Sequence, residues 1–300
     1  MRRSLISLQQ LILQTEKRLK AARLHYGHGT DNPRDEAAFL VLRGLKLSFD
    51  ADLAQTVDPR RVEELVKRRI EERTPVAYLL NEAWLSGVPF YVDRRVIIPR
   101  SHIAELLPAG LEPWLARPPA RILDLCTGSG CLAVLAARAF PLALVDAGDL
   151  STAALGVARR NVSRHRLEKR IRIVRSDLFS SLGEKRYDLI VTNPPYVTSA
   201  AMRRLPAEYR HEPGLALAAG KKGLDVVARI LREATGHLSK KGLLVCEVGD
   251  GRGSVEKAWP RAELYWPRDE VFIAGRDALA SAARTGASRR TRSRRARASR

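Results

Sequence analysis

The chain has little cysteine, no long apolar run and no paired metal-ligand motif, and each shortage removes a class of function. Of its 300 residues only three are cysteine, Cys126, Cys131 and Cys246. They form no CxxC pair and no even framework, so neither a structural zinc nor a disulfide scaffold is indicated. A reducing, cytoplasmic setting is expected. The six histidines form no HExxH pattern, and no catalytic metal is expected. No apolar stretch approaches the ~20 residues that a membrane span needs. The opening "MRRSLISLQQLILQTEKRLK" begins as a secretory leader does. Gln9, Gln10, Gln14 and Glu16 then break its apolar run, and no small-residue cleavage site follows. Leu5, Leu8, Ile12 and Leu19 instead mark one face of an amphipathic helix.

Acid is also in short supply. Lysine and arginine total 53 against 33 aspartates and glutamates, a net charge of +20. The excess is uneven: residues 284–300 hold eight arginines and no acid, which leaves +12 on the rest. This tail has no apolar side chain larger than alanine and is expected to be disordered. An arm that contacts RNA phosphates and a solvated extension fit it equally. The basic body suits a partner in an RNA-rich assembly, with no sequence readout implied.

What is present is a globular composition, 45% hydrophobic, and enough length for two domains. Residues 1–85 read as helices. "DPRRVEELVKRRIEER" places Asp58 at an N-cap and Pro59 at the first helical position, followed by an apolar stripe of Val62, Leu65, Val66 and Ile70. "DEAAFLVLRGL" predicts a second helix buried around Phe39, Leu40 and Leu42. "HYGHGTDN" reads as a polar turn whose two histidines are loop residues rather than ligands. Residues 86–118 read as a linker that opens with a short hairpin. From Arg121 onward apolar strands alternate with helices: "RILDL", "ALVDAGDL", "IRIV", "YDLIV" and "GLLVCEVG", closed by "AELYW" and "EVFIAG". That alternation predicts an α/β fold, a mainly parallel sheet covered on both faces with an antiparallel edge.

Ligands of open α/β sheets sit outside the carboxyl ends of the strands. Four such ends carry polar residues here. In "DLCTGSG", Gly128 and Gly130 allow a close backbone approach, and the helix from Cys131 directs its N–H groups at a ligand. Gly128 to Ala133 fits the dinucleotide pattern GxGxxA. Asp124, however, occupies the strand end, where it can hold a cationic amine; S-adenosylmethionine has one and nicotinamide dinucleotides do not. Asp149, 19 positions after Gly130, can accept both hydroxyls of a ribose. Asp177 in "SDLF" can accept from an exocyclic amine, with Leu178 against the ring, or can serve as a turn residue. In "NPPY" the prolines stiffen the loop and extend Asn193. The Asn193 side-chain oxygen and the Pro194 carbonyl then converge as two acceptors for a planar –NH2 whose face Tyr196 covers. That arrangement suits methyl transfer to an amino or amide nitrogen through positioning. An aromatic base and a glutamine side chain both carry such a group.

"DLCTGSG", "SDLF" and "NPPY", in this order, resemble the class I S-adenosylmethionine-dependent methyltransferases of planar amino groups. The flanks "RTPVAYLLNEAWLSGVPFYVDRRVIIPRS" and "EYRHEPGLALAAGKKGLDVVARIL" are similar to the protein glutamine N5-methyltransferases. "GHGTDN", "IPRS" and "EYRHEP" look like the branch whose substrate is ribosomal protein L-three of the large subunit. The resemblance implies a Rossmann-like methyltransferase domain over residues 119–280. It also implies a small helical domain over residues 1–85 that recognises the substrate; the basic tail over residues 281–300 has no counterpart in the resemblance. The cofactor it implies is S-adenosylmethionine, held by Asp124 and the loop of Cys126, Thr127, Gly128, Ser129 and Gly130, with Cys126 where glycine is usual. Asp149, Leu150, Asp177, Leu178 and Asn193 would complete that contact. Asn193, Pro194, Pro195 and Tyr196 would hold the glutamine amide. Methylation of base amino groups in RNA or DNA, methylation of a release-factor glutamine, and a non-catalytic assembly role are the alternatives.

Overall fold

Capping chemistry sets the first helices. In the computed structural model, which describes residues 5–220 and 223–280, the chain starts with a two-residue strand β1 (Ile6–Ser7) and the helix α1 (Leu8–Ala21). Ser7 Oγ accepts from Gln10 N–H and Gln10 Oε1 accepts from Ser7 N–H, a reciprocal capping box. Leu8, Leu11 and Leu19 are buried, whereas Leu5 lies before the helix and is exposed. Asn32 caps α2 (Pro33–Gly44) through the N–H groups of Arg34 and Asp35, and Leu40 and Leu42 are buried with Phe39 beside them. β2 (Thr56–Val57) pairs antiparallel with β1. The helix α3 (Arg60–Glu71) begins one residue later than its composition predicts: Pro59 is the N-cap, and the Asp58 carboxylate accepts from Arg60 N–H. A short α4 (Val76–Leu80) follows, then a hairpin of β3 (Ala83–Leu85) and β4 (Val88–Phe90). The turn of this hairpin uses Ser86 and Gly87, both at positive φ.

The chain divides into two compact units, one of residues up to Arg100 with Leu205–Pro213, the other of Ser101–Arg204 with residues from Gly214 on. In the first, a buried ionic cluster replaces part of the apolar core. Arg69 is 1% exposed; its Nε donates to Glu36 Oε1 at 2.7 Å and a terminal nitrogen donates to the His25 carbonyl at 2.9 Å. Glu208, also 1% exposed, accepts from His25 N–H, and Glu212 takes a bidentate pair from Arg100 with both contacts at 2.6 Å. His28 is buried against Tyr209, and burial and the nearby Arg100 lower its pKa to about 3.

The second unit is built on one sheet. After α5 (Ile103–Leu106) come β5 (Arg121–Leu125), α6 (Cys131–Ala139), β6 (Leu144–Asp149), α7 (Thr152–Arg164), β7 (Ile171–Arg175) and β8 (Tyr187–Thr192). Then follow α8 (Ser199–Met202), α9 (Asp225–His237), β9 (Leu238–Glu247), α10 (Arg252–Ala258), β10 (Tyr265–Arg268) and β11 (Val271–Gly275). The strand order is β10-β11-β9-β8-β5-β6-β7, with β5 to β9 parallel and the last two strands antiparallel at one edge. The chain moves outward from β5 to β7, then returns to the other side of β5 for β8. The strand order therefore reverses between β5 and β8, where a ligand crevice is expected. The central strands bury both faces, which explains their continuous apolar runs: Ile122, Leu123, Leu189, Ile190 and Val191 are all at 0% exposure.

Candidate active site

The ends of β5 and β8 are tied together at the reversal point. Thr192 Oγ1 donates to the Leu125 carbonyl at 2.8 Å, which fixes the exit of β8 beside the loop that leaves β5. That loop is held from within. Asp124 is fully buried, and its Oδ2 accepts from Thr127 Oγ1 and from Ala133 N–H in the first turn of α6. Its Oδ1 is buried with no hydrogen-bond partner. Burial pushes the Asp124 carboxyl up to about 7, because the ionised form has lost water and gained no cation. Thr127 thus faces inward to Asp124. Ser129 is buried too, and Asn161, at 0% exposure on α7, donates to its carbonyl at 2.8 Å. Asn161 is a residue the motif reading missed; its signal was one amide within the otherwise apolar buried face of α7.

The loop's backbone explains its residue types. Cys126 (φ 60°), Gly128 (φ 55°) and Gly130 (φ 79°) are all left-handed. Cys126 carries a side chain through a conformation that favours glycine. At Gly130 a Cβ would also lie 3.2 Å from Ala158 Cβ, whereas at Gly128 it would meet nothing within 4 Å. Gly128 N–H donates to Asp149 Oδ2 at 2.9 Å, and Ser151 N–H donates to Oδ1 at 2.8 Å. The carboxylate at the end of β6 is thereby aimed along the loop, and Ser151 takes the capping role on α7. Burial raises the Asp149 pKa as well. Leu150, next along, is 48% exposed.

The end of β7 is different. Asp177 pairs with Arg229 of α9 at 3.0 Å on a half-exposed surface, so one of its oxygens is engaged. Leu178 sits at φ 51° and is 6% exposed within the main core cluster, which leaves little of its side chain for a ring to cover.

At the end of β8, Pro194 is buried and Asn193 half-buried. The Asn193 side chain has no hydrogen-bond partner among the described residues. Tyr196 is held by the end of β9. Its ring rests on Gly249, where a Cβ would fall 2.6 Å from Cε2, and its phenol lies 3.5 Å from Glu247 Oε1. Glu247 and Gly249 are further residues that the sequence reading did not single out. Beyond Tyr196, Val197 forms a parallel bridge to Ala218.

The residues present fit a sulfonium amino acid nucleoside. A buried carboxylate oxygen without a partner lies under a loop with open space at Gly128, and a second carboxylate lies beyond it at the end of β6. Among the described residues no group of three or more His, Cys, Asp or Glu side chains is placed to hold a metal ion. No helix among them is long and apolar enough to cross a membrane.

A family model described as "Methyltransferase small domain" matches residues 107–207. A ribosomal protein uL3 glutamine methyltransferase of Bordetella pertussis is 50% identical over 291 residues, covering 93% of this chain and 98% of that protein. Another of the same description, from Burkholderia pseudomallei, is 46% identical over 276 residues, 87% of this chain and 90% of that one. Among solved structures, a methyltransferase from Pyrococcus furiosus aligns with a TM-score of 0.47 at 19% identity, over 70% of this chain and 97% of that chain.

Proposed function

The chain belongs to the family of ribosomal protein uL3 glutamine methyltransferases, and from that premise we propose that it methylates the side-chain amide nitrogen of one glutamine in ribosomal protein uL3. The methyl donor is S-adenosylmethionine, which when bound supplies an electrophilic methyl group. Asp124, the loop from Cys126 to Gly130 and Asp149 hold it. Asp124 Oδ1, the one buried carboxylate oxygen without a partner among the described residues, would be the acceptor for its ammonium group. Asp149 is the acceptor for its ribose hydroxyls. The helical unit recognises the substrate.

The glutamine amide lies against Asn193, Pro194, Pro195 and Tyr196. An amide nitrogen is a poor nucleophile because its lone pair is conjugated with the carbonyl. The Asn193 oxygen and the Pro194 carbonyl each accept one of its hydrogens, which raises electron density on nitrogen and aims its remaining direction at the electrophile. The nitrogen gains a C–N bond as the methyl–sulfur bond of the donor breaks; that bond's electron pair stays on sulfur as a neutral thioether, and the proton lost from nitrogen passes to solvent, leaving an N-methyl amide. Tyr196 covers the amide face and keeps water away.

The observation that carries this reading is the Asn193 side chain, which follows the central strand β8 beside the cofactor loop and has no hydrogen-bond partner among the described residues. Initial rates with labelled S-adenosylmethionine test it. Asn193→Ala is expected to lower the rate at least a hundredfold on free uL3, with the cofactor Kd changed by less than about tenfold. An unchanged rate would overturn the clamp. Label appearing on free RNA rather than on uL3 would overturn the substrate.

A further inference from the structure

The clamp's aromatic ring needs a support, and the structure shows a buried acid that the chemistry above does not use. Glu247 ends β9, one strand from the β8 exit, and is 1% exposed. No lysine or arginine within the described residues forms an ion pair with it. A carboxylate buried without a cation is costly and calls for a reason. Its Oε2 is fully committed, accepting from Ser101 Oγ at 2.5 Å and from His102 N–H at 3.0 Å. Ser101 is itself fixed, because its Oγ also accepts from Ile103 N–H at 3.2 Å. Oε1 faces the Tyr196 phenol at 3.5 Å.

We propose that Glu247 is a positioning residue of the clamp: pinned by Ser101 and His102, it fixes the Tyr196 ring by accepting from its phenol. This rests on the reading of Asn193 to Tyr196 as the amide clamp. The ring is then located from two directions, at its edge by the Gly249 backbone and at its tip by Glu247. A contact of 3.5 Å is long for a hydrogen bond in the free chain, and contacts at catalytic sites commonly shorten when substrate binds. Glu247 acts on the reaction through Tyr196 and does not itself meet the glutamine.

A double-mutant cycle between Glu247→Gln and Tyr196→Phe on the full chain tests it, with kcat, the KM for uL3, the cofactor Kd and the melting temperature measured for each. Glutamine keeps the volume of Glu247. With its oxygen turned to Ser101 and His102, its –NH2 faces the phenol in place of an acceptor. The expected result is a loss of about five- to tenfold in kcat for each single variant, with KM and Kd within twofold, and no further loss in the double variant. Ser101→Ala, which unpins the carboxylate, should slow kcat in the wild-type background and leave the Tyr196→Phe rate unchanged. Losses that multiply, or a Glu247→Gln effect confined to Kd or to stability, would overturn the assignment. If Tyr196→Phe slows the reaction while Glu247→Gln and Ser101→Ala do not, Glu247 alone is misassigned. If Asn193→Ala and Tyr196→Phe both leave kcat intact, the clamp reading itself fails.

Discussion

Asp124→Asn should make the free protein more stable and the enzyme worse. In the fold burial pushes this carboxyl from an ordinary 3.8 to about 7. A raised acid pKa means that the folded chain binds the proton more tightly than the unfolded one. Stability from this group is therefore present at low pH and is lost as pH rises from about 4 through about 7. At pH 8 the ionised side chain costs roughly 4 kcal/mol against its neutral form. Asparagine avoids that cost, and its oxygen can still accept from Thr127 and Ala133. Its –NH2 would occupy the place of Oδ1, which has no partner, at a cost of about 1–3 kcal/mol. The net gain at pH 8 is then about 1–3 kcal/mol, measurable as a shift in urea midpoint; because the –NH2 cost does not change with pH, the gain should shrink as pH falls and reverse to a loss of about 1–2 kcal/mol near pH 4. Cofactor affinity should move the other way, by at least tenfold, because the ammonium loses its counter-charge. A variant that is less stable at pH 8, or that binds S-adenosylmethionine as tightly as wild type, would refute the electrostatic role given to Asp124.

Other perturbations separate the parts of the fold. Gly249→Ala places a Cβ 2.6 Å from the Tyr196 ring, so the ring must shift by about an ångström; a rate loss on the order of a hundredfold is expected, with a stability change of about 1 kcal/mol, read by initial rates and thermal melts. His28 is neutral in the fold, its pKa lowered to about 3 from an ordinary 6.5. The unfolded chain takes up the proton first as pH falls, so stability from this group is lost as pH drops below 6.5. Between pH 7 and pH 5.5 the loss is about 1 kcal/mol, and His28→Gln should remove it from the pH dependence of the urea midpoint.

Much of the methyltransferase sheet is legible in the amino-acid sequence. Strands buried on both faces advertise themselves as apolar runs, and "RILDL" and "YDLIV" lie on β5 and β8 almost residue for residue. The family reading from "DLCTGSG", "NPPY" and the flanks is borne out by relatives at 46–50% identity. Local chemistry was less visible. Whether a loop side chain faces a ligand or the loop's own scaffold depends on φ and on neighbours distant in sequence. Thr127 turns inward to Asp124, and Leu178 is drawn into the core. Tertiary partners were silent as well. Nothing near "CEVG" announces that Glu247 meets Ser101, 146 positions earlier. Nor does "GHGTDN" announce that His28 is buried beside Tyr209. The arginine-rich tail, which an RNA-contacting arm and a solvated extension fit equally, lies outside the described residues.

Modification of one glutamine of uL3 by this chain is open to direct measurement. Incubating purified chain with S-adenosylmethionine and free uL3, then mapping the product by tandem mass spectrometry, tests it directly. One uL3 peptide should gain ~14 Da, localised to a glutamine side chain, and the gain should disappear with Asn193→Ala. A ~14 Da increment on another residue type of uL3, or on a release factor or RNA in place of uL3, would contradict it.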